Sequence, residues 1–448
     1  MLLFDFNHEL AELNRTWRSY LHLLTSSPEF YACSLHGDKG CGKTNLIKTY
    51  LQKNPNAYYV SFSRGNKAVA LENFRTACFP NAGSAQDWDD AFSKVATTFK
   101  GKPVMIFLDD FADLGSDAEL LNAFQKFSLS QRNILLVTVG SHIKTERTKE
   151  VSISPRSLAD FCKVLPGYSK QDIARLYAVT GGVLPVMKEL DEDISFEENL
   201  RRLLQHDSSF SQFVPALLRE TFRTPASYYP ILYSISQGKH RLSEIAADIG
   251  FPNNKCGKYL EALIDAGFVV AERSPMGKHS TYYLKNSYLS FWFNYLYRNH
   301  SLLVSDTERL LEIVFKDLDE RIVLPAVHES CIRYMRRGQK GDNYRLFAQF
   351  DRAKNKPVSF RFRDGFRGQF DCVLSNDKDT LLCVFPKDLD ARFTKNDLEH
   401  YLKAANHHGT AGNTQLMIFS LHRFSDWCVH TASNVPLLFE ITTERLRY

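Results

Sequence analysis

Along the first third of the chain, short apolar runs alternate with amphipathic stretches. FYACSLH (30–36), AYYVSFS (57–63), Val104 to Leu108 and NILLVTV (133–139) each read as a buried strand. TNLIKTYLQK (44–53) and DAELLNAFQKFS (117–128) carry apolar residues at helical spacing between them. Strands alternating with helices predict a parallel sheet, with any ligand held at the carboxyl ends of its strands.

The pattern then changes. SYYPILYSISQG (227–238), HRLSEIAADIG (240–250) and Lys255 to Ala266 read as three short helices, with Ser243 as the polar residue at the start of the second and Gly250 as its end. FVVAER and TYYLK follow as two strands around a turn containing Gly277, so helix, helix, helix and hairpin predict a winged helix. In a DNA reader of that shape, Asn253, Asn254, Lys255 and Lys258 face the groove, and Arg273, Lys278 and His279 on the wing face the backbone. A rigid connector between two other domains has the same pattern. SYLSFWFNYLY (287–297) is too apolar for a linker and is expected to pack against its neighbours. A long helical stretch (307–337) leads into alternating strand-like segments.

Length and composition agree with several domains. At 448 residues the chain exceeds one core, and 44% apolar with 24% charged residues is globular. The net charge of +5 is small, but residues 321–370 hold 12 Lys+Arg against 4 Asp+Glu, a local excess of +8. Nine cysteines without a CxxC pair or zinc-like His spacing read as buried hydrophobes in a reducing compartment. Asp5 and Glu9 interrupt the apolar start, so a signal peptide is not expected, and no apolar run reaches the roughly 20 residues of a membrane span. A cytoplasmic protein without a membrane partner is the expectation.

The strongest chemical signal is HGDKGCGKTN. Gly37, Gly42, Lys43 and Thr44 fit G-x-x-x-x-G-K-[ST], with Gly40 inside the loop and Asn45 just after it. Glycines let backbone N–H groups turn toward phosphates, the lysine reaches the terminal phosphates of ATP, and the threonine hydroxyl ligates Mg²⁺. Asp109 and Asp110 close the strand Val104 to Leu108. In enzymes with such a loop, the first acid holds the metal's hydration shell and the second polarises the attacking water. Aspartate at 110, one methylene shorter than glutamate, predicts slow hydrolysis.

GxxGxGKT, LDDF, GSH (140–142) and YAVTGGVLPVMKEL (177–190) together resemble the archaeal-type ATPases, relatives of the STAND NTPases, over nearly the whole chain. The resemblance implies an α/β P-loop ATPase core (1–150), a helical lid (151–220) with its Gly181-Gly182 turn near the nucleotide, a winged helix (221–300) and a nuclease-like domain (301–448). It places Ser141, with Thr138, where AAA+ and STAND ATPases sense the γ-phosphate. Two departures stand out: Glu9-Leu10 is kept but Phe6 replaces an arginine, and Arg147 is the only arginine available as a finger in its segment.

In restriction-endonuclease-like folds a helix acid precedes a hairpin aspartate and an E-x-K strand, and the two acids hold Mg²⁺. Glu329, Asp371 and Lys387 match three of these positions, while Phe385 stands where the second glutamate belongs and cannot ligate a hard cation. Three accounts stay open: an inactive scaffold that still binds nucleic acid, a ligand shifted to Glu399, or an unrelated fold. Arg361, Arg363 and Arg367 beside Phe360, Phe362 and Phe366 fit phosphate contacts interleaved with aromatics, or an Arg-studded edge strand. The expected function is a slow ATPase whose nucleotide state controls the winged helix and a degenerate nuclease-like domain that binds DNA. The alternatives are an ATP-dependent nuclease and a protein-interaction switch without nucleic acid; the partner is DNA or another protein, including a second copy of the chain.

Overall fold

A computed structural model describes residues 6–22, 32–62, 67–110, 118–131, 133–140, 148–273, 280–338, 353–354, 358–361, 367–375, 379–390, 392–407, 413–431, 436–443 and 445–447. The chain divides into two compact units, Phe4–Pro155 and Arg156–Tyr448, the second also counting residues 1–3.

In the first unit the order is α1 (Asn7–His22), β1 (Ala32–His36), α2 (Lys43–Lys53), β2 (Ala57–Ser61), α3 (Lys67–Cys78), α4 (Trp88–Thr98), β3 (Val104–Asp109), α5 (Ala118–Ser130), β4 (Ile134–Val139) and β5 (Thr148–Ser152). The five strands form one parallel sheet in the order β2-β3-β4-β1-β5. β3 and β4 are buried at every position, which explains their uninterrupted aliphatic sequences. α4 starts where the Asp87 side chain accepts from the Asp90 N–H at 2.8 Å. One face of the sheet is closed by an aromatic core in which Phe62, Phe74, Phe92 and Trp88 meet at ring separations of 5.3–6.4 Å. β5 is polar, with only Val151 buried, and adds a fifth strand beside β1.

The second unit begins with helices α6 (Leu158–Val164), α7 (Lys170–Thr180), α8 (Leu184–Met187), α9 (Phe196–Leu203) and α10 (Ser209–Thr221). Ser157, Ser169, Ser195 and Ser208 cap four of them, each accepting from the backbone three residues on. α7 ends at Gly181, and Gly181 and Gly182 both have positive φ, 59° and 71°. A Cβ on Gly182 would lie 2.6 Å from the Arg156 carbonyl oxygen, so close backbone approach as well as conformation requires glycine there.

Next come α11 (Tyr229–Ser236), α12 (Leu242–Ile249), α13 (Asn253–Asp265) and an antiparallel pair, β6 (Val269–Arg273) and β7 (Ser280–Leu284). Arg241 bridges Thr281, adding a short third segment to the pair. α12 begins one residue before Ser243, because Glu244 reaches back to accept from the Arg241 and His240 N–H groups at 3.1 and 3.2 Å. Gly250 ends it in the left-handed region. The apolar stretch forms α14 (Ser287–Phe291) and a wide π-turn to Leu296 that buries Tyr288, Phe291, Trp292 and Phe293. α15 (Leu302–Ser305), α16 (Thr307–Phe315), a π-turn at Asp319–Val323 and α17 (Leu324–Gly338) follow.

The last portion holds a six-stranded mixed sheet. Its strands are β8 (Ala353–Lys354), β11 (Cys372–Ser375), β12 (Asp379–Val384), β13 (Asn413–Ser420), β14 (Pro436–Glu440) and β15 (Arg445–Arg447), in the order β15-β14-β13-β12-β11-β8. β12, β13 and β14 are parallel and the flanking pairs antiparallel. The helix Lys395–His407 joins β12 to β13 and buries Leu398 and Ala404 against Phe370 and Leu382. β9 (Val358–Arg361) and β10 (Arg367–Phe370) pair separately, with Arg361 opposite Arg367. Arg363, Phe362 and Phe366 of the basic belt lie outside the described residues, as do Lys278 and His279 of the hairpin turn. Among the described residues no helix is long and apolar enough to cross a membrane, and eight of the nine cysteines are buried free thiols.

Candidate functional site

β1, buried for its first four residues, delivers the chain into the 37–42 turn, and α2 starts at Lys43. Gly40 and Gly42 take φ of 83° and 100°, which L side chains resist. Gly37 is required for space: a Cβ there would stand 2.5 Å from the Ile153 carbonyl oxygen and 2.8 Å from Cys41 Sγ. Lys43 folds back over the turn, its Nζ donating to the carbonyls of Gly37 at 2.7 Å and Asp38 at 3.0 Å. Thr44 is exposed and Asn45 half-buried on the first helical turn, where free N–H groups and the helix dipole favour a phosphate.

Because β4 lies between β1 and β3, its carboxyl end reaches the same edge as the turn and the acids. Gly140, just past β4, donates to the Leu35 carbonyl at 2.9 Å. Its φ is 79°, and a Cβ there would come within 3.8 Å of Lys43 Cε. Thr138 faces inward, 2% exposed, with its hydroxyl 3.5 Å from the Cys33 carbonyl oxygen, so it belongs to the sheet interior. Ser141 and Arg147 lie outside the described residues.

Asp109 ends β3 and is 6% exposed. One of its oxygens accepts from the Tyr59 hydroxyl at 2.8 Å and the other from the Asp110 N–H at 3.0 Å. Burial pushes the Tyr59 phenol well above its ordinary pKa, and the bond to Asp109 adds to the rise. Asp110 is exposed and has φ of 57°, the one positive value among the described residues other than glycine. Asp and Asn tolerate this region far better than longer side chains. That gives a backbone reason for a short acid at this position. The donors fit a hydrated Mg²⁺: a hydroxyl on the first turn of α2 and a carboxylate at the end of β3 are the hard oxygens that cation takes. Sequence spacing pointed to the turn and the acids; it gave no sign of Tyr59.

The second cluster lies in the other unit. Asp371 is 11% exposed; one oxygen accepts from Lys387 Nζ at 2.7 Å and the other from the Phe385 N–H at 2.8 Å. Phe385 is 3% exposed and packs at 5.5 Å on Phe419 and 5.3 Å on His328. The His328 Nε2 lies 2.7 Å from the Pro386 carbonyl, which can only accept, so this nitrogen carries the proton. Glu329 is the next residue on α17 and half-buried. Glu399 is exposed, 3.8 Å from Lys395. Asp371 and Lys387 are thus brought together, but as an ion pair, and among the described residues no three His, Cys, Asp or Glu side chains gather as a metal site. This cluster does not fit a divalent cation.

The first unit is therefore an α/β P-loop core on its own geometry. No family model matches the chain. Uncharacterized protein MJECL04 of Methanocaldococcus jannaschii is 23% identical over 323 residues, covering 67% of this chain and 70% of that protein. Among solved structures, a chain of Drosophila ORC bound to DNA is similar at 14% identity and TM-score 0.26, over 56% of this chain and 86% of that one. A STAND protein with a tetratricopeptide repeat sensor, PH0952 from Pyrococcus horikoshii, is similar at 16% identity and TM-score 0.25, over 71% of this chain and 49% of its own.

Proposed function

We propose that the protein is an AAA+/STAND-like ATPase that binds ATP with Mg²⁺, hydrolyses it slowly, and uses its nucleotide state to control the modules that follow. The observation that carries the reading is Lys43, held over a glycine turn by the Gly37 and Asp38 carbonyls. Those two carbonyls are an interim partner for an ammonium whose preferred partner is a phosphate. In the loaded site Gly37, Gly40 and Gly42 leave the turn open for phosphate oxygens, and the N–H groups around Thr44 and Asn45 hold them. Thr44 and Asp109 are the residues that would hold Mg²⁺, which when bound neutralises charge on the terminal phosphates. Asp110, exposed at the strand end, orients the attacking water and accepts its proton. Ser141 is the proposed γ-phosphate contact.

Downstream, the reading is a helical lid, a winged helix and a nuclease-like domain that does not cut. Asn253, Asn254, Lys255 and Lys258 are all exposed at the start of α13, which supports duplex DNA as the partner. Phe385, apolar and 3% exposed where a second acid would stand, argues against an ATP-dependent nuclease.

The experiment is ATP turnover and DNA retention by wild type and Asp110→Asn. Asparagine keeps the left-handed backbone and loses the charge, so turnover should fall by about 100-fold or more with ATP binding retained. Equal turnover in the two proteins would refute the role of Asp110. Metal-dependent cleavage of the DNA would sink the non-cutting reading, and the absence of any salt-sensitive retention would favour a protein partner instead.

A further inference from the structure

We propose that Tyr59 is a positioning residue for the metal side of this site, holding the Asp109 carboxylate in the one orientation that serves Mg²⁺; the inference rests on the ATPase reading above. Tyr59 belongs to β2 and pairs in register with Phe107 of β3, while Ser61 pairs with Asp109. Side chains at positions two apart share a face of a strand, so Tyr59, Ser61, Phe107 and Asp109 all stand on one side of the sheet. A diagonal neighbour lies about 7–8 Å away between backbones, within reach of an aromatic side chain and beyond a short one. That is how the Tyr59 hydroxyl spans to Asp109 at 2.8 Å.

The contact has two consequences for Asp109. With the Asp110 N–H on its other oxygen, the carboxylate is bonded on both sides and cannot rotate about its last torsion without breaking one bond. Each carboxylate oxygen has about two lone-pair sites, so each keeps one for a water of the metal's shell. Partners that hold a metal ligand in this way change metal affinity or activity by about 10- to 100-fold when removed.

Tyr59→Phe keeps the ring and removes only the hydroxyl. Full-length wild type, Tyr59→Phe and Lys43→Ala are compared for thermal midpoint, for ATP binding in EDTA, and for Mn²⁺ affinity of the ATP-loaded protein, read from the resonance of free Mn²⁺. The expected result for Tyr59→Phe is Mn²⁺ affinity weaker by about 10-fold, with metal-free ATP binding and thermal midpoint as in wild type. Unchanged Mn²⁺ affinity beside normal ATP binding overturns this proposal and leaves the ATPase reading standing. Parallel loss of thermal midpoint and metal-free ATP binding also overturns it, by showing a merely structural role. Wild type that fails to bind ATP, or binds it no better than Lys43→Ala, overturns the ATPase reading and this inference with it.

Discussion

Gly37→Ala adds one methyl group at the most confined point of the phosphate turn. The new carbon would sit 2.5 Å from the Ile153 carbonyl oxygen and 2.8 Å from Cys41 Sγ. Carbon and carbonyl oxygen ordinarily keep about 3.3 Å apart, so the turn or the chain beyond β5 must give by roughly 0.8 Å. Neither moves freely. The Ile153 N–H is bonded to the His36 carbonyl at 2.8 Å, just before the turn, and the Cys41 N–H to the Asp38 carbonyl at 3.2 Å within it, so both walls are tied down. Forcing a methylene into packed surroundings costs about 1–3 kcal/mol. If the strain is relieved by displacing the turn from its phosphate-binding shape, ATP affinity falls by about 5- to 150-fold, at 1.4 kcal/mol per factor of ten. The assay is titration of ATP into wild type, Gly37→Ala and a control, Gly83→Ala, by calorimetry. Gly83 lies in the same unit with no heavy atom within 4 Å of an added Cβ and no positive φ, so its variant should bind as wild type does. Gly37→Ala binding ATP within twofold of wild type, with the fold intact by circular dichroism, would refute the steric argument.

Two further outcomes follow from the second unit. Burial holds the His328 imidazole below its ordinary pKa, outweighing the Pro386 carbonyl and Asp371, which act the other way, while Lys387 adds to the fall. Below about pH 6.5 the unfolded chain therefore takes up a proton that the folded chain refuses, and stability is lost as pH falls, with a limiting slope of about 1.4 kcal/mol per pH unit. Replacing His328 with Gln keeps a donor for Pro386 and should flatten urea-midpoint dependence between pH 5 and 7; the same slope in both proteins would rule this out. Arg175 of α7 grips Asp319 with two bonds at 2.9 and 2.7 Å and Asp172 with a third at 2.8 Å. A double-mutant cycle of Arg175→Met and Asp319→Asn by urea unfolding should give a coupling of about 1 kcal/mol, small because both side chains are partly exposed. A coupling indistinguishable from zero would show the grip to be ornamental.

Where the sequence was informative, the cause was local. The 37–44 spacing and the aliphatic run ending in Asp109 each encode their geometry within a few residues, and the Gly181-Gly182 turn announces its own positive φ. Contacts between strands were hidden. Tyr59 looks like any strand tyrosine until β2 is known to lie beside β3, and Gly140 gains its meaning only because β4 sits between β1 and β3. β5 was illegible because TKEVS buries one residue in five and has no apolar period to read. Ser243 lost its expected place at the start of α12 because Glu244 supplies the cap from inside the helix. In the C-terminal sheet, spacing brought Asp371 and Lys387 to notice, but their ion pair is a property of packing.

The central claim is that the 37–44 turn holds the phosphates of ATP through Lys43. Its most direct test is equilibrium binding of labelled ATP to the full chain and to Lys43→Ala, in Mg²⁺ and at matched thermal stability. The account predicts saturable binding by wild type and affinity weaker by about 10- to 150-fold in the variant, since a charge-assisted contact worth about 1.5–3 kcal/mol is removed. Equal binding by the two proteins would contradict it.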